Sequence, residues 1–270
     1  MRYIADLHTH STASDGQYSP TQLMELAKEI GIEVLALTDH DTLDGLDEAV
    51  RIGAAAGMTV LRGVELGAEE HKNLHILGYA FSSETPNIAK LCAGKREQRE
   101  VRNRRMIDFL REKGLDITLQ EVVEQAGGQV IGRPHFARVL EKKGYVSSVR
   151  EAFDRYLDTK EYEKIREARI PARVCVETIK ADGGKVSLAH PYQLGYSDDA
   201  LRELVGRLKD YGLDAIECYY PKHTPEQTAF YLQLAREFDL HATGGSDFHG
   251  ERIKPDVRLS RVELELDWLI

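Results

Sequence analysis

Several of the ten histidines in this 270-residue chain stand beside carboxylates in short clusters. His8 and His10 open the run DLHTHSTASDG, which also holds Asp15. His40 lies in LTDHD, Glu65 in RGVEL, His75 in LHILGY, His190 in LAHP, and Asp247 with His249 in GSDFH. Neutral imidazole and carboxylate together suit Zn, Mn or Fe, whereas an all-oxygen set would suit Mg or Ca. Residues two apart on an extended strand point to the same side, so His8 and His10 can aim at one ion. The three cysteines, Cys92, Cys175 and Cys218, are scattered and lack metal-ligand spacing. They point to a reducing cytoplasm without a disulfide framework.

Clusters so far apart in sequence need a scaffold that gathers them. The chain reads as alternating strands and helices. RYIADL, EVLALT, MTVLRGVEL, LHILGYAF, KVSLAHP, AIECYY and HATGGSDFH read as strands. SPTQLMELAKEIG reads as a helix with Ser19 as N-cap, Pro20 in the first turn and Gly31 as terminator. GLDEAVRIGAAAG is a second, closed by Gly57, and the stretches 172–182, 198–211 and 224–238 follow the same pattern. Repeated β–α units predict a parallel sheet, most simply a closed or distorted barrel. The C-terminal ends of such strands converge on one face, where active sites sit. Most of the histidines follow a strand, so separate segments deliver imidazoles and carboxylates to one spot.

Residues 86–170 break that rhythm and contain no convincing strand. KREQREVRNRRMIDFLREKG reads as a long charged helix, followed by TLQEVVEQAGG, RPHFARVLEKKG and SVREAFDRYL. The expected organisation is therefore a barrel from 1–85 and 171–270 with a helical cap from 86–170 standing over its face. The arginine run from Arg96 to Arg105 reads as a solvated helix face. The formal charge of −9 argues against broad nucleic-acid binding, so no stable DNA complex is expected. No apolar run reaches the ~18 residues of a membrane span, and MRYIADLHTH does not read as a secretory leader.

The motifs DLHTHSTASDG, LALTDHD, GVEL, LHILGY, LAHP and GSDFH, in that order, resemble those of the PHP superfamily, named for polymerase and histidinol phosphatase. The resemblance implies a distorted (β/α)7 barrel holding two to three divalent ions, here Mn, Fe or Zn. It implies that His8 and His10 hold the first ion with Asp247, with Glu65 as a bridge. Glu65 would share the second with His75 and His190, and Asp15, His40 and His249 would hold the third. Asp39, and with weaker support Asp41, would orient the cluster from behind, since ligand imidazoles normally donate their second N–H to a carboxylate or carbonyl. Three divalent ions outweigh three carboxylates, so an acidic protein can still draw an anion to its mouth. A water shared by two ions would supply the attacking hydroxide, with no protein nucleophile.

Within the superfamily, GRPHFARVL and YYPKHTPEQ resemble the stand-alone phosphoesterases that cleave nucleoside 3′,5′-bisphosphates, a branch that also trims short RNA from its 5′ end. The implied substrate is a small anionic phosphate ester. Arg133 is the candidate for gripping a phosphate, because guanidinium matches it bidentately. His135, Lys222 and His223 are further candidates, and the pair Tyr219–Tyr220 could stack on a base. His71 and His241 read as structural. DTKEYEKIREARIPARV departs from the branch, which usually has a Gly/Pro-rich turn there; Lys160, Lys164 and Arg166 are the cations available in its place. Rival readings are a phosphatase for another monoester such as histidinol phosphate, a non-catalytic metal-binding module, and a proofreading domain acting beside a separate polymerase.

Overall fold

The computed structural model describes residues 1–126, 130–165 and 170–270. Contacts divide the chain into two compact units, Met1–Cys92 with Arg169–Ile270, and Ala93–Ala168.

The first unit is built on eight strands: β1 (Arg2–Thr9), β2 (Val34–Leu37), β3 (Thr59–Gly67), β4 (His75–Tyr79), β5 (Lys185–Leu188), β6 (Ala215–Tyr219), β7 (His241–Gly244) and β8 (Val262–Glu265). They line up in the order β7-β6-β5-β4-β3-β2-β1-β8. The sheet curls until its ends nearly meet: the N–H of His10 donates to the carbonyl of Phe248 (2.9 Å), and that of Asp247 to the carbonyl of His8 (2.8 Å). The result is a distorted, nearly closed barrel surrounded by helices.

Those helices are α1 (Pro20–Glu29), α2 (Leu46–Ala55), α7 (Ala172–Ala181), α8 (Asp198–Tyr211) and α9 (Pro225–Glu237). Helix α1 starts as its sequence dictates: Ser19 Oγ accepts from the Gln22 N–H while the Gln22 side chain reaches back to the Ser19 N–H. Leu23, Met24 and Ala27 form its buried stripe. All four residues of β2 are buried, as befits an apolar run covered on both faces.

Two strands depart from the parallel pattern expected of the β–α repeat. β4 runs antiparallel to both β3 and β5. Only residues 68–74 join β3 to β4, too few for the helical crossover that a parallel neighbour requires. β8 was not anticipated as a strand; it pairs antiparallel with β1. Its exposed Glu263 and Glu265 flank buried Leu264, a short charged edge that discourages further strand addition.

The second unit is helical. Helix α3 (Pro86–Glu112) begins in the first unit and ends in this one; α4 (Leu119–Ala126), α5 (Arg133–Lys142) and α6 (Val149–Ala152) follow. A wider helical turn continues α6 through Phe153–Leu157. The unit has its own core, including Met106, Leu110, Ile117, Val122, Phe136, Leu140 and Leu157.

Candidate metal centre

The strand ends bring all nine expected ligands of the barrel together. His8 and His10 sit on and just after β1, and Asp15 on the loop beyond. His40 follows β2, Glu65 lies within β3, His190 follows β5, and Asp247 and His249 follow β7. The reversal of β4 explains His75, which begins its strand rather than ending it. In the antiparallel register His75 faces Gly67 at the end of β3, so the start of β4 lies level with the ends of the parallel strands.

Glu65 is the hub. Its Oε2 lies 3.1 Å from His8 Nε2, 3.1 Å from His10 Nε2 and 3.2 Å from His40 Nδ1. Its Oε1 lies 2.6 Å from His75 Nδ1 and 3.1 Å from His190 Nε2. Asp247 Oδ1 adds contacts to His8 (3.7 Å), His10 (3.4 Å) and His249 (3.3 Å). On the outer side Asp15 meets His249 Nε2 at 3.3 Å and His40 Nε2 at 4.0 Å. Three sets of mutually close ligand atoms emerge: His8, His10, Glu65 and Asp247; His10, Asp15, His40 and His249; and His40, Glu65 and His75. The first two contain the ligand sets expected for the first and third ions. In the last, His40 joins the expected pair of Glu65 and His75, while His190 reaches the same Glu65 oxygen as His75.

The donors fit cations. His8 Nε2, both ring nitrogens of His10, Glu65 Oε2 and His190 Nδ1 are buried without a hydrogen-bond partner. Buried polar atoms in native proteins are almost always paired, so facing lone pairs left unpaired mark positions for metal ions. Burying carboxylates here costs several kcal/mol each unless compensated. Burial also drives Glu65 towards its neutral form, but the imidazoles of His40, His8 and His75 outweigh it and hold the acid well below its usual range. Burial works against protonation of His10 too; hydrogen bonds and charge from Asp247 and Glu65 prevail and raise it to about 9. His40, walled in by other imidazoles, is pushed down to about 3, chiefly by burial.

The backbone is strained where the ligands sit. Asp41, His190 and Asp247 are non-glycine residues at positive φ (53°, 26° and 56°), the kind of cost that persists only where surroundings enforce it. At Gly245 a Cβ would lie 2.3 Å from His8 Cβ, so only glycine lets β7 approach β1 this closely.

A polar layer behind the ligands contains residues that the motif reading missed. Glu217 of β6 lies 3.0 Å from His8 Nδ1 and accepts the N–H of His190 at 2.6 Å. Asp6 accepts from the N–H and Oγ of Ser246 and from the N–H of Ser260, and burial lifts it to about 6. Tyr220 and Lys254 both donate to Asp247 Oδ2, at 3.1 and 2.6 Å. The one available signal was Glu217 itself, a lone acid inside the apolar strand AIECYY. Asp39 differs from expectation in what it holds: its carboxylate accepts from Ser11 N–H, Ser11 Oγ and Ser14 Oγ, fixing the loop after β1 rather than an imidazole. Asp41 donates its backbone N–H to the carbonyl of Glu65.

The substrate candidates are less uniform. His223 is half-buried beside Tyr192, Tyr220 and Tyr231; its Nδ1 is 3.0 Å from the Cys218 carbonyl and its Nε2 is buried and unpartnered. Lys222 is exposed. Tyr220 is buried against Asp247, and Tyr219 packs against the barrel core. In the helical unit, Arg133 donates to the Leu157 carbonyl and to Asp158 (both 3.2 Å) and lies over the Phe153 and Tyr162 rings. His135 Nδ1 accepts the Gly132 N–H and caps α5. Lys160 and Lys164 are exposed, and Arg166 lies outside the described residues. His241 stacks on Trp268 and His71 packs against Tyr196.

Residues 6–169 match the PHP domain family. The chain belongs to that family, and is a metal-dependent phosphoesterase, a hydrolase of phosphoric ester bonds. It is 37% identical to a 5′-3′ exoribonuclease of Haemophilus influenzae, over 90% of this chain and 89% of the relative. It is 35% identical to a phosphoribosyl 1,2-cyclic phosphate 1,2-diphosphodiesterase of Eggerthella lenta (92% and 95%). Identity to a 3′,5′-nucleoside bisphosphate phosphatase of Chromobacterium violaceum is 30% (90% and 86%). A solved structure from Bifidobacterium adolescentis superposes with a TM-score of 0.80 at 30% identity, covering 97% and 93% of the two chains.

Proposed function

We propose that this phosphoesterase removes the 3′-phosphate of nucleoside 3′,5′-bisphosphates and also acts at the 5′ ends of short RNA. The observation that carries the hydrolytic part of the reading is the split of the Glu65 carboxylate, whose two oxygens face different sets of imidazoles and so suit a bridge between ions. In this reading Mn, Fe or Zn occupies up to three positions: His8, His10, Glu65 and Asp247; Glu65, His75 and His190; and Asp15, His40 and His249. Ions bound there would supply Lewis acidity and lower the pKa of a water towards neutrality.

The chain's own residues position and do not attack. The hydroxyls of Ser11, Ser14 and Ser246 donate to Asp39 and Asp6. The Cys218 thiol is buried and pushed up by that burial, away from the reactive thiolate. Tyr220 and Lys254 hold Asp247 Oδ2, leaving Oδ1 turned to the imidazoles. His223, Lys222, Arg133 and His135 are proposed to contact the substrate away from the reacting phosphorus. Cys92, Cys175 and Cys218 are buried and form no disulfide, which fits a cytoplasmic setting. Among the described residues no helix is long and apolar enough to cross a membrane.

The bisphosphate reading draws support from the Chromobacterium relative and the RNA reading from the Haemophilus one. A turnover panel on metal-loaded protein tests both, with nucleoside 3′,5′-bisphosphate, 5′-monophosphate, histidinol phosphate, a ribose 1,2-cyclic phosphate and 5′-phosphorylated oligoribonucleotides. The bisphosphate is expected to give the highest kcat/KM among the small esters, with release of the 3′-phosphate. Preference for histidinol phosphate or the cyclic diester would overturn the assignment.

A further inference from the structure

We infer that Glu217 is a positioning residue that couples two of the proposed metal positions, so that their ions bind and leave together. The inference rests on the ligand sets proposed above.

Glu217 stands in the middle of β6 with 1% of its surface exposed. Its Oε1 lies 3.0 Å from His8 Nδ1, and its Oε2 accepts the backbone N–H of His190 at 2.6 Å. These two histidines belong to different positions. His8 Nε2 faces Glu65 Oε2, and His190 Nε2 faces Glu65 Oε1. Both are therefore held between two carboxylates, Glu65 in front and Glu217 behind. One is proposed to bridge the ions; the other ties together the residues that hold them.

Each contact has a distinct effect. At His8, the carboxylate keeps the proton on Nδ1, which leaves the Nε2 lone pair free to coordinate. At His190 the backbone is at φ 26°, ψ 60°, a conformation that costs a non-glycine residue free energy. The short bond from its N–H opposes relaxation, which would swing the imidazole away from Glu65. Among the described residues Glu217 makes no hydrogen bond or ion pair with Asp15, His40 or His249, so the remaining position should be indifferent to it.

Glu217→Gln is a demanding test because it preserves shape. A carboxylate offers an acceptor on each side, whereas an amide has one acceptor oxygen and one donor NH2. Glutamine can serve His8 or the His190 N–H, and must turn a donor towards the other. Metal content measured by elemental analysis, with Mn titrated into chelated protein, gives a readout independent of activity. Glu217→Gln is expected to weaken two ions together by about 10- to 100-fold, the usual cost of losing such an outer partner, and to leave one ion per chain near wild-type affinity. The melting temperature of the metal-free variant should stay close to that of metal-free wild type. Loss of a single ion, or affinities within twofold of wild type, would overturn the coupling. If Glu217→Gln does not fold, Glu217→Asp, which keeps both acceptors but shortens the reach, is expected to weaken the same two ions in parallel; weakening of only one would again overturn it. A wild-type protein that never binds more than one ion would instead refute the underlying ligand assignment.

Discussion

His190 and His135 are both buried histidines beside a proline, yet the regions around them use them differently. In the barrel, His190 turns Nε2 towards Glu65 and keeps a buried Nδ1 without a partner. In the helical unit, His135 turns Nδ1 back to the Gly132 N–H and closes the first turn of α5. The first arrangement leaves one ring nitrogen facing the central carboxylate and the other buried and unpaired, which suits a cation site more than packing. The second is the N3 half of a capping box, the ring accepting the N-cap backbone N–H. Strand ends gather side chains at one level however distant they are in sequence, so barrel chemistry follows from position. On helices a side chain's role depends on what it packs against.

The largest effects are expected in the barrel. His8→Ala combined with His10→Ala should abolish turnover, since both rings face Glu65 and Asp247, while circular dichroism should show the fold retained. Glu65→Gln should cost more activity and more bound metal than most single histidine losses, because it keeps size but removes the charge that five imidazoles surround. Near-normal metal content in that variant would rule out a bridging role.

An intermediate effect is expected in the helical unit. The Arg133 guanidinium is already oriented by Leu157, Asp158 and two aromatic rings, a geometry that serves either packing or a preset grip on a phosphate. The proposal that Arg133 binds the second phosphate of a bisphosphate predicts that this binding contributes to turnover of that substrate. Arg133→Ala should then lower bisphosphate turnover by roughly 10- to 10²-fold, from ~1.5–3 kcal/mol for a hydrogen bond to a charged group. p-Nitrophenyl phosphate, which lacks a remote phosphate, should be far less affected. Equal losses on both, with a lowered melting temperature, would make Arg133 a packing residue.

The smallest effect concerns pH in the metal-free protein. His10 is raised from 6.5 to about 9, so its proton stabilises the folded state fully below about 6.5, and that stability is lost as pH rises towards 9. Metal-free protein should therefore melt lower at pH 9 than at pH 6.5, and His10→Gln should flatten the difference. Metal affinity should run the opposite way, since a ligand imidazole must be unprotonated.

That eight of the nine candidate ligands would gather was legible from strand period and convergent strand ends; His75, which begins its strand, and the grouping of all nine into ion positions rested on the resemblance to the PHP superfamily. The direction of β4 was not, since alternation looks the same in either direction; only the brevity of 68–74 held a clue. Glu217 was hidden because an acid inside AIECYY declares nothing about its partners: His190 follows the neighbouring strand β5, but His8 comes from β1, which does not pair with β6. Lys254 reaches Asp247 through a turn that no period describes. The boundary of the helical unit was read from the loss of strands at residue 86, whereas α3 passes from one unit to the other within its own length.

The most direct measurement is to strip the purified protein with chelator, add back Mn in steps, and follow bound metal and bisphosphate turnover on the same samples. Turnover should be absent without metal, rise as ions fill the positions joined by Glu65, and level off at two to three ions per chain. Activity that survives with metal near zero would contradict a phosphoesterase built on these strand-end histidines.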